Sequence, residues 1–227
     1  MNPLIVPGCS LLLSLPVFAA SFANLDFESP RISAVIASNN IHGFARTSDA
    51  VPGWNLQVGT SQEAQMLFNT FYLGSAGGSL HQTTTMGLGK YTVGLTAGPP
   101  PTDSSGPLLS SSLFQSGTVP NDARALLFDA GFGFGPFEVA LDGQSLMPMI
   151  DLGSGPAGFR HYGVDVSPWA GETVELRFTI KAGLDSGYGS LGLDNIRFSN
   201  VPLVPEPQTW ALLGVGLAAL RWWSRQR

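Results

Sequence analysis

Along most of this chain of 227 residues, apolar side chains recur with a period near two instead of the 3.6 of a helix. The clearest case runs from Thr173 to Ile180, where Val174, Leu176, Phe178 and Ile180 alternate with Thr173, Glu175, Arg177 and Thr179. A strand with one face in a core and one in water has this pattern. Similar runs cover Ala125 to Asp129, Phe137 to Leu141, Phe159 to Val166 and Leu191 to Ser199. Weaker ones cover Gln65 to Tyr72, Ser79 to Thr85 and Tyr91 to Leu95. Gly, Pro, Asp and Asn separate them, and Asp142-Gly143 marks a tight hairpin between Phe137 to Leu141 and Ser145 to Met149. The Pro- and Ser-rich stretch from Gly98 to Ser112 predicts a surface loop. With no amphipathic helix of useful length, the expected fold is all-β: an antiparallel β-sandwich of jelly-roll type.

Two apolar stretches depart from this period, one at each end. Leu11, Leu12, Leu13, Leu15, Val17 and Phe18 form a short apolar run, and Ser21-Phe22-Ala23 supplies small residues for cleavage. Residues 1–23 therefore predict a secretory signal peptide helix, with cleavage before Asn24 or, nearby, after Ala20. At the other end the run from Trp210 to Leu220, about 16 Å long as a helix, is followed by Trp222, Trp223, Arg221, Arg225 and Arg227. A single short membrane helix with a cytoplasmic basic end is predicted there. The domain organisation expected is thus leader 1–23, β-sandwich body 24–203 and anchor segment 204–227.

Composition supports this division. Gly (28) and Pro (17) are abundant and charged residues make up only 12%, which suits short strands and tight turns. Between Asn24 and Leu203 stand fifteen acidic and eight basic side chains, so the body is acidic and no nucleic-acid partner is expected. The single cysteine, Cys9, lies in the leader and gives the body no disulfide. His42, His81 and His161 are far apart and form no metal or triad spacing, so each is expected to be a polar surface residue. Gly214-Val215-Gly216-Leu217-Ala218-Ala219 matches a dinucleotide fingerprint by letter alone, since no strand precedes it.

The tail carries a specific resemblance. Val204, Pro205, Glu206 and Pro207, the apolar run and Arg221, Arg225 and Arg227 together resemble the sorting signal of PEP-CTERM proteins. That resemblance implies an exosortase as processing partner, a transient stop in the inner membrane, and delivery to the cell surface or extracellular matrix. The body also shows likenesses. Asn24-Leu25-Asp26-Phe27-Glu28 followed by Pro52-Gly53-Trp54, and the ending Gly192-Leu193-Asp194-Asn195-Ile196-Arg197-Phe198, resemble the first and last strands of galactose-binding-like jelly rolls and carbohydrate-binding modules. In that likeness Phe27 is a core residue of the first strand and Trp54 an anchor of the second.

The same likeness implies a calcium ion held by Glu28 and Asp194, with Asp26 or Asn195 as further oxygen donors. Calcium takes about six to eight oxygens, so backbone carbonyls would complete its shell. It also implies sugar stacking on aromatic faces, for which Tyr188, Trp54 and Trp169 are candidates, and exopolysaccharide as a partner. The function expected is an exported, non-catalytic structural or interaction protein. The alternatives are a carbohydrate-binding module with structural calcium and, more remotely, a surface glycan hydrolase using two scattered carboxylates.

Overall fold

The computed structural model describes residues 20–33, 35, 43–70, 74–82, 88–182 and 187–203. The leader helix, His42, Tyr72 and the whole segment from Val204 to Arg227 lie outside the described residues. Among the described residues no helix is long and apolar enough to cross a membrane.

The body is nearly all β. In chain order its strands are β1 (Gly43–Arg46), β2 (Asn55–Val58), β3 (Ser61–Glu63), β4 (Gln65–Phe68), β5 (Gly77–Gln82), β6 (Tyr91–Ala97) and β7 (Ser111–Thr118). There follow β8 (Ala125–Phe134), β9 (Phe137–Leu141), β10 (Gln144–Ser145), β11 (Ile150–Ser154), β12 (Arg160–Asp165), β13 (Thr173–Ile180) and β14 (Gly189–Ser199). Eight form one sheet in the order β1-β4-β5-β6-β14-β8-β12-β11, and six form the other in the order β10-β9-β13-β7-β2-β3. Both N-terminal and C-terminal halves contribute strands to each sheet, so neither half closes a core alone.

The sheets face each other across a shared apolar layer. Phe178 of β13 meets Phe128 of β8 edge-on at 5.3 Å between ring centroids, and Trp54 lies 6.3 Å from Phe178. Leu56, Leu80, Leu95, Leu113, Leu126, Leu141 and Leu176 are fully buried between them. Burial of each such side chain contributes about 1.5–3 kcal/mol. The sheets approach closely at Gly78, where a Cβ would stand 2.7 Å from a methyl group of Leu56 in the opposite sheet.

Several strand expectations hold closely. β13 has the boundaries read from its alternation, with Val174, Leu176, Phe178 and Ile180 inward. Asp142 (φ 49°) and Gly143 (φ 74°) form the tight turn between β9 and β10, although the second arm is only two residues long. Other expectations need correction. The pairing is not wholly antiparallel, because β4 and β5 run parallel. The loop expected from Gly98 to Ser112 ends earlier, since Ser111 and Ser112 already belong to β7. Phe27 is fully buried but lies in a turn at φ 57°, outside any strand, and Trp54 stands just before β2.

The described chain begins within the segment that the sequence places in the leader. Residues 20–23, placed in the leader by the sequence, are packed against the body: Ser21 forms a parallel bridge with Thr118, and Phe22 stacks at 5.3 Å on Phe198 of β14.

Candidate functional site

The body's chemistry concentrates where the N-terminal turn meets β6, β14, β8 and β12. Asn24 (φ 50°) and Phe27 (φ 57°) fold the chain into a tight turn, closed by Phe27 N–H donating to the Asn24 carbonyl at 3.3 Å. The Trp54 indole N–H also donates to that carbonyl, at 3.0 Å, so burying Phe27 and Trp54 together anchors the turn. Glu28 follows at once. Its Oε1 accepts backbone N–H groups from Lys90 (2.7 Å) and Tyr91 (3.0 Å) and so binds the turn to the start of β6.

Thr92, next along β6, donates from Oγ1 to Asp194 Oδ2 at 2.8 Å. Asp194 is fully buried in β14, and its Oδ1 accepts the Asn195 N–H at 2.7 Å. Asn195 adopts φ 50° within a register shift between Asp194 and Arg197 against β8, which turns its side chain across the sheet. From there its Nδ2 donates to Asp129 Oδ2 at 2.9 Å, and the other oxygen of buried Asp129 pairs with His161 Nδ1 on β12. A hydrogen-bonded path therefore links Thr92, Asp194, Asn195, Asp129 and the half-exposed His161, with Glu28 bonded to the β6 backbone just before Thr92.

The electrostatics of this path are dominated by Asp194. Burial pushes its pKa up to about 7; the bonds from Thr92 and Asn195 pull it down, and the charges of Glu28 and Asp129 push it further up. Three acids thus share one region, with Asp194 the desolvated member. Among the described residues, however, no group of three or more His, Cys, Asp or Glu stands in metal-binding geometry.

The residues expected to hold calcium are therefore brought together in part. Glu28 and Asp194 lie within electrostatic range, and Asn195 adjoins Asp194. Asp26 points back into its own turn, where Oδ1 accepts the Glu28 N–H at 3.2 Å. Their charge suits a cation, but the donor set is incomplete and would need backbone and water oxygens. A depression of about 390 Å³ beside them is lined by Phe22, Asn24, Asp26, Asn195 and Arg197, among others.

The aromatic candidates do not converge. Trp54 is 3% exposed, so its faces are closed to a sugar by the core. Trp169 is half-buried and packs on the core margin. Tyr188 alone of the three is well exposed, at 43%. A feature absent from the sequence reading is a polar groove of about 430 Å³ near β2, β3 and β4, lined by Arg46, Ser48, Asn55, Gln62, Glu63 and Gln65. All these residues lie between Arg46 and Gln65, but no motif spacing in that stretch announces a groove.

One histidine expectation is corrected. His81 is buried, not superficial, with Nε2 2.7 Å from Ser79 Oγ and a pKa lowered to about 4 by burial. His161 is partly exposed, as expected of a polar surface residue, and pairs with Asp129.

The comparisons bear mainly on the tail. Residues 203–226 match the PEP-CTERM protein-sorting motif. This defines the chain as carrying an exosortase sorting signal, and the signal implies export. No curated protein sequence matches this chain. Among solved structures it is similar to the enzymatically active domain of tailspike protein 4 of bacteriophage CBA120, at 14% identity and TM-score 0.37, covering 65% of this chain and 19% of that one. It is also similar to a cyclase from Fischerella sp. TAU in complex with 4-(1H-indol-3-yl)butan-2-one, at 15% identity and TM-score 0.46, covering 82% of this chain and 99% of that one. Likenesses this remote carry no argument about activity.

Proposed function

We propose that this is an exported, non-catalytic structural or interaction protein whose body is a jelly-roll sandwich delivered by an exosortase to the cell surface or extracellular matrix. The observation that carries this reading is the sorting motif at residues 203–226, which starts four residues after β14 ends at Ser199. The apolar run after Pro207 then serves as a temporary inner-membrane anchor, with Arg221, Arg225 and Arg227 on the cytoplasmic side. The test is intact mass of the protein from cells with and without an exosortase. Loss of the tail only in exosortase-bearing cells is expected; a tail retained in both overturns the reading.

A second reading is favoured by the proximity of Glu28 and Asp194: a carbohydrate-binding module whose fold is supported by calcium. Glu28, Asp194 and the neighbouring Asn195 would hold the ion, which would neutralise the acid cluster and stiffen the junction of the N-terminal turn with β6 and β14. Exopolysaccharide would then meet the exposed Tyr188 or the polar groove around Asn55 and Gln62. Calcium titration followed by melting, with glycan-array binding, tests it; no melting shift with calcium or chelator and no glycan bound would remove it.

A further inference from the structure

We infer that the leader is removed at the Ala19–Ala20 bond, and that Ala20, Ser21, Phe22 and Ala23 remain in the mature protein as a short strand that completes the six-stranded sheet.

The sheet has a slot for them. On one side β7 pairs with β13 along its whole length, from Ser111 to Thr118. On the other side β2 covers only Ser111 to Phe114. The remaining half of β7 is met by residues 20–23. Thr118 N–H donates to the Ala20 carbonyl at 3.1 Å, and Ser21 bridges Thr118 in parallel. Gln115, only 3% exposed, holds Ala23 at two points: its Oε1 accepts the Ala23 N–H and its Nε2 donates to the Ala23 carbonyl, each at 3.0 Å. Removing Ala23 would leave a buried side-chain amide without these partners, which is costly.

Packing gives the same answer. A Cβ on Gly117 would stand 2.7 Å from Phe22 N and 2.8 Å from its ring, so glycine here matches the presence of Phe22. Phe22 in turn covers Phe198 of the opposite sheet. Cleavage before Asn24 would strip this cover. It would also place a charged amine on the residue whose carbonyl accepts from Phe27 and Trp54.

The bond assigned leaves the slot filled. Val17-Phe18-Ala19 puts compact residues at the first and third positions before the cut, as in the small-x-small pattern read by signal peptidase. Water adds across the Ala19–Ala20 amide, leaving a carboxylate on Ala19 and a free amine on Ala20. No redox partner is needed.

The test is the N-terminal residue of the full chain exported from a host, read by mass spectrometry. Ala20 is expected. A mature chain starting at Ser21 or Asn24 overturns the inference while leaving the export reading intact, whereas a chain that keeps Met1 overturns both. Ala19→Leu is expected to block processing, and normal removal of the leader from that variant also overturns the inference. Phe22→Asp supplies an independent readout: a melting temperature lowered by about 5 °C or more is expected for a retained, packed Phe22, and an unchanged one would mean that it is absent from the mature fold.

Discussion

Thr92 Oγ1 on β6 and Asp194 Oδ2 on β14 are joined by a 2.8 Å hydrogen bond beneath the N-terminal turn, with Asp194 wholly out of solvent. This pair makes stability depend on pH in a defined direction. Burial first, and the charges of Glu28 and Asp129 after it, raise the folded pKa of Asp194 from its ordinary 3.8 to about 7, against the pull of Thr92 and Asn195. The folded state then holds a proton that the unfolded state has lost. The associated stability is complete below about pH 4 and is lost as pH rises through 7. Asp194→Asn keeps a neutral group that can donate to a rotated Thr92 hydroxyl. At pH 8 it should be more stable than the wild type by an amount on the order of 2–4 kcal/mol and melt correspondingly higher, and at pH 4 the two should coincide. Melting across this range in chelator is the measurement. In the calcium-supported reading, added calcium raises the wild-type melting temperature at pH 8 and leaves the variant unmoved.

His81 acts in the opposite direction. Burial lowers its pKa from 6.5 to about 4, so the folded state keeps it neutral while the unfolded state takes up a proton. Its contribution is complete above pH 6.5 and is lost as pH falls toward 4. Ser79 Oγ lies 3.4 Å from the Gly94 carbonyl and 2.7 Å from His81 Nε2, and a side-chain amide can donate or accept in place of that ring nitrogen. His81→Gln is expected to fold and to lose less stability between pH 6.5 and 4 than the wild type. Urea midpoints at the two pH values check this. An equal loss in both proteins would show that other groups set the acid limit.

Phe159, just before β12, is 1% exposed because it lies over two glycines, on β8 and β14. A Cβ on Gly131 of β8 would meet its Cα and ring at 2.8 Å, and one on Gly192 of β14 would meet its Cζ at 2.8 Å. Phe159→Ala is expected to cost about 3–5 kcal/mol, the range for emptying a buried aromatic site. Gly192→Ala should cost about 1–3 kcal/mol by overpacking. Combining them should cost less than the sum, since the small side chain relieves the clash. Denaturant melts of the two single variants and the double variant decide it.

What the sequence made legible follows from what local pattern can encode. The alternation of β13 stands in eight consecutive residues and needs no partner to be read. The Asp142-Gly143 turn is equally local, since both residues tolerate positive φ. Glu28 and Asp194 could be paired in advance only through the resemblance of the two chain ends to known domains. By contrast, the parallel β4–β5 pair, the bulge that turns Asn195 toward Asp129, and the burial of His81 arise between distant segments. The contacts of residues 20–23 with the body are of the same long-range kind. Ser21-Phe22-Ala23 looks cleavable by itself, and its contacts with Gln115 and Gly117, about ninety residues on, have no local signal.

Arg177 offers a final prediction on the solvent face of the six-stranded sheet. Its guanidinium lies 4.1 Å from the Phe114 ring centroid, donates from Nε to Glu175 at 2.7 Å and from Nη1 to Gln57 at 2.8 Å. The three partners sit on β7, β13 and β2, so one side chain ties three adjacent strands. Partial exposure of the ion pair limits its Coulombic part, and planar stacking with two-directional donation supplies the rest. Lysine keeps the charge but lacks the planar fork, so Arg177→Lys should lose most of what Arg177→Ala loses, about 1 kcal/mol. If charge were the main contribution, lysine would restore stability and 1 M salt would abolish the difference between wild type and alanine. Chemical denaturation by urea of the three proteins, at low and high salt, separates these outcomes, and a difference that persists in salt identifies stacking and hydrogen-bond geometry as the source.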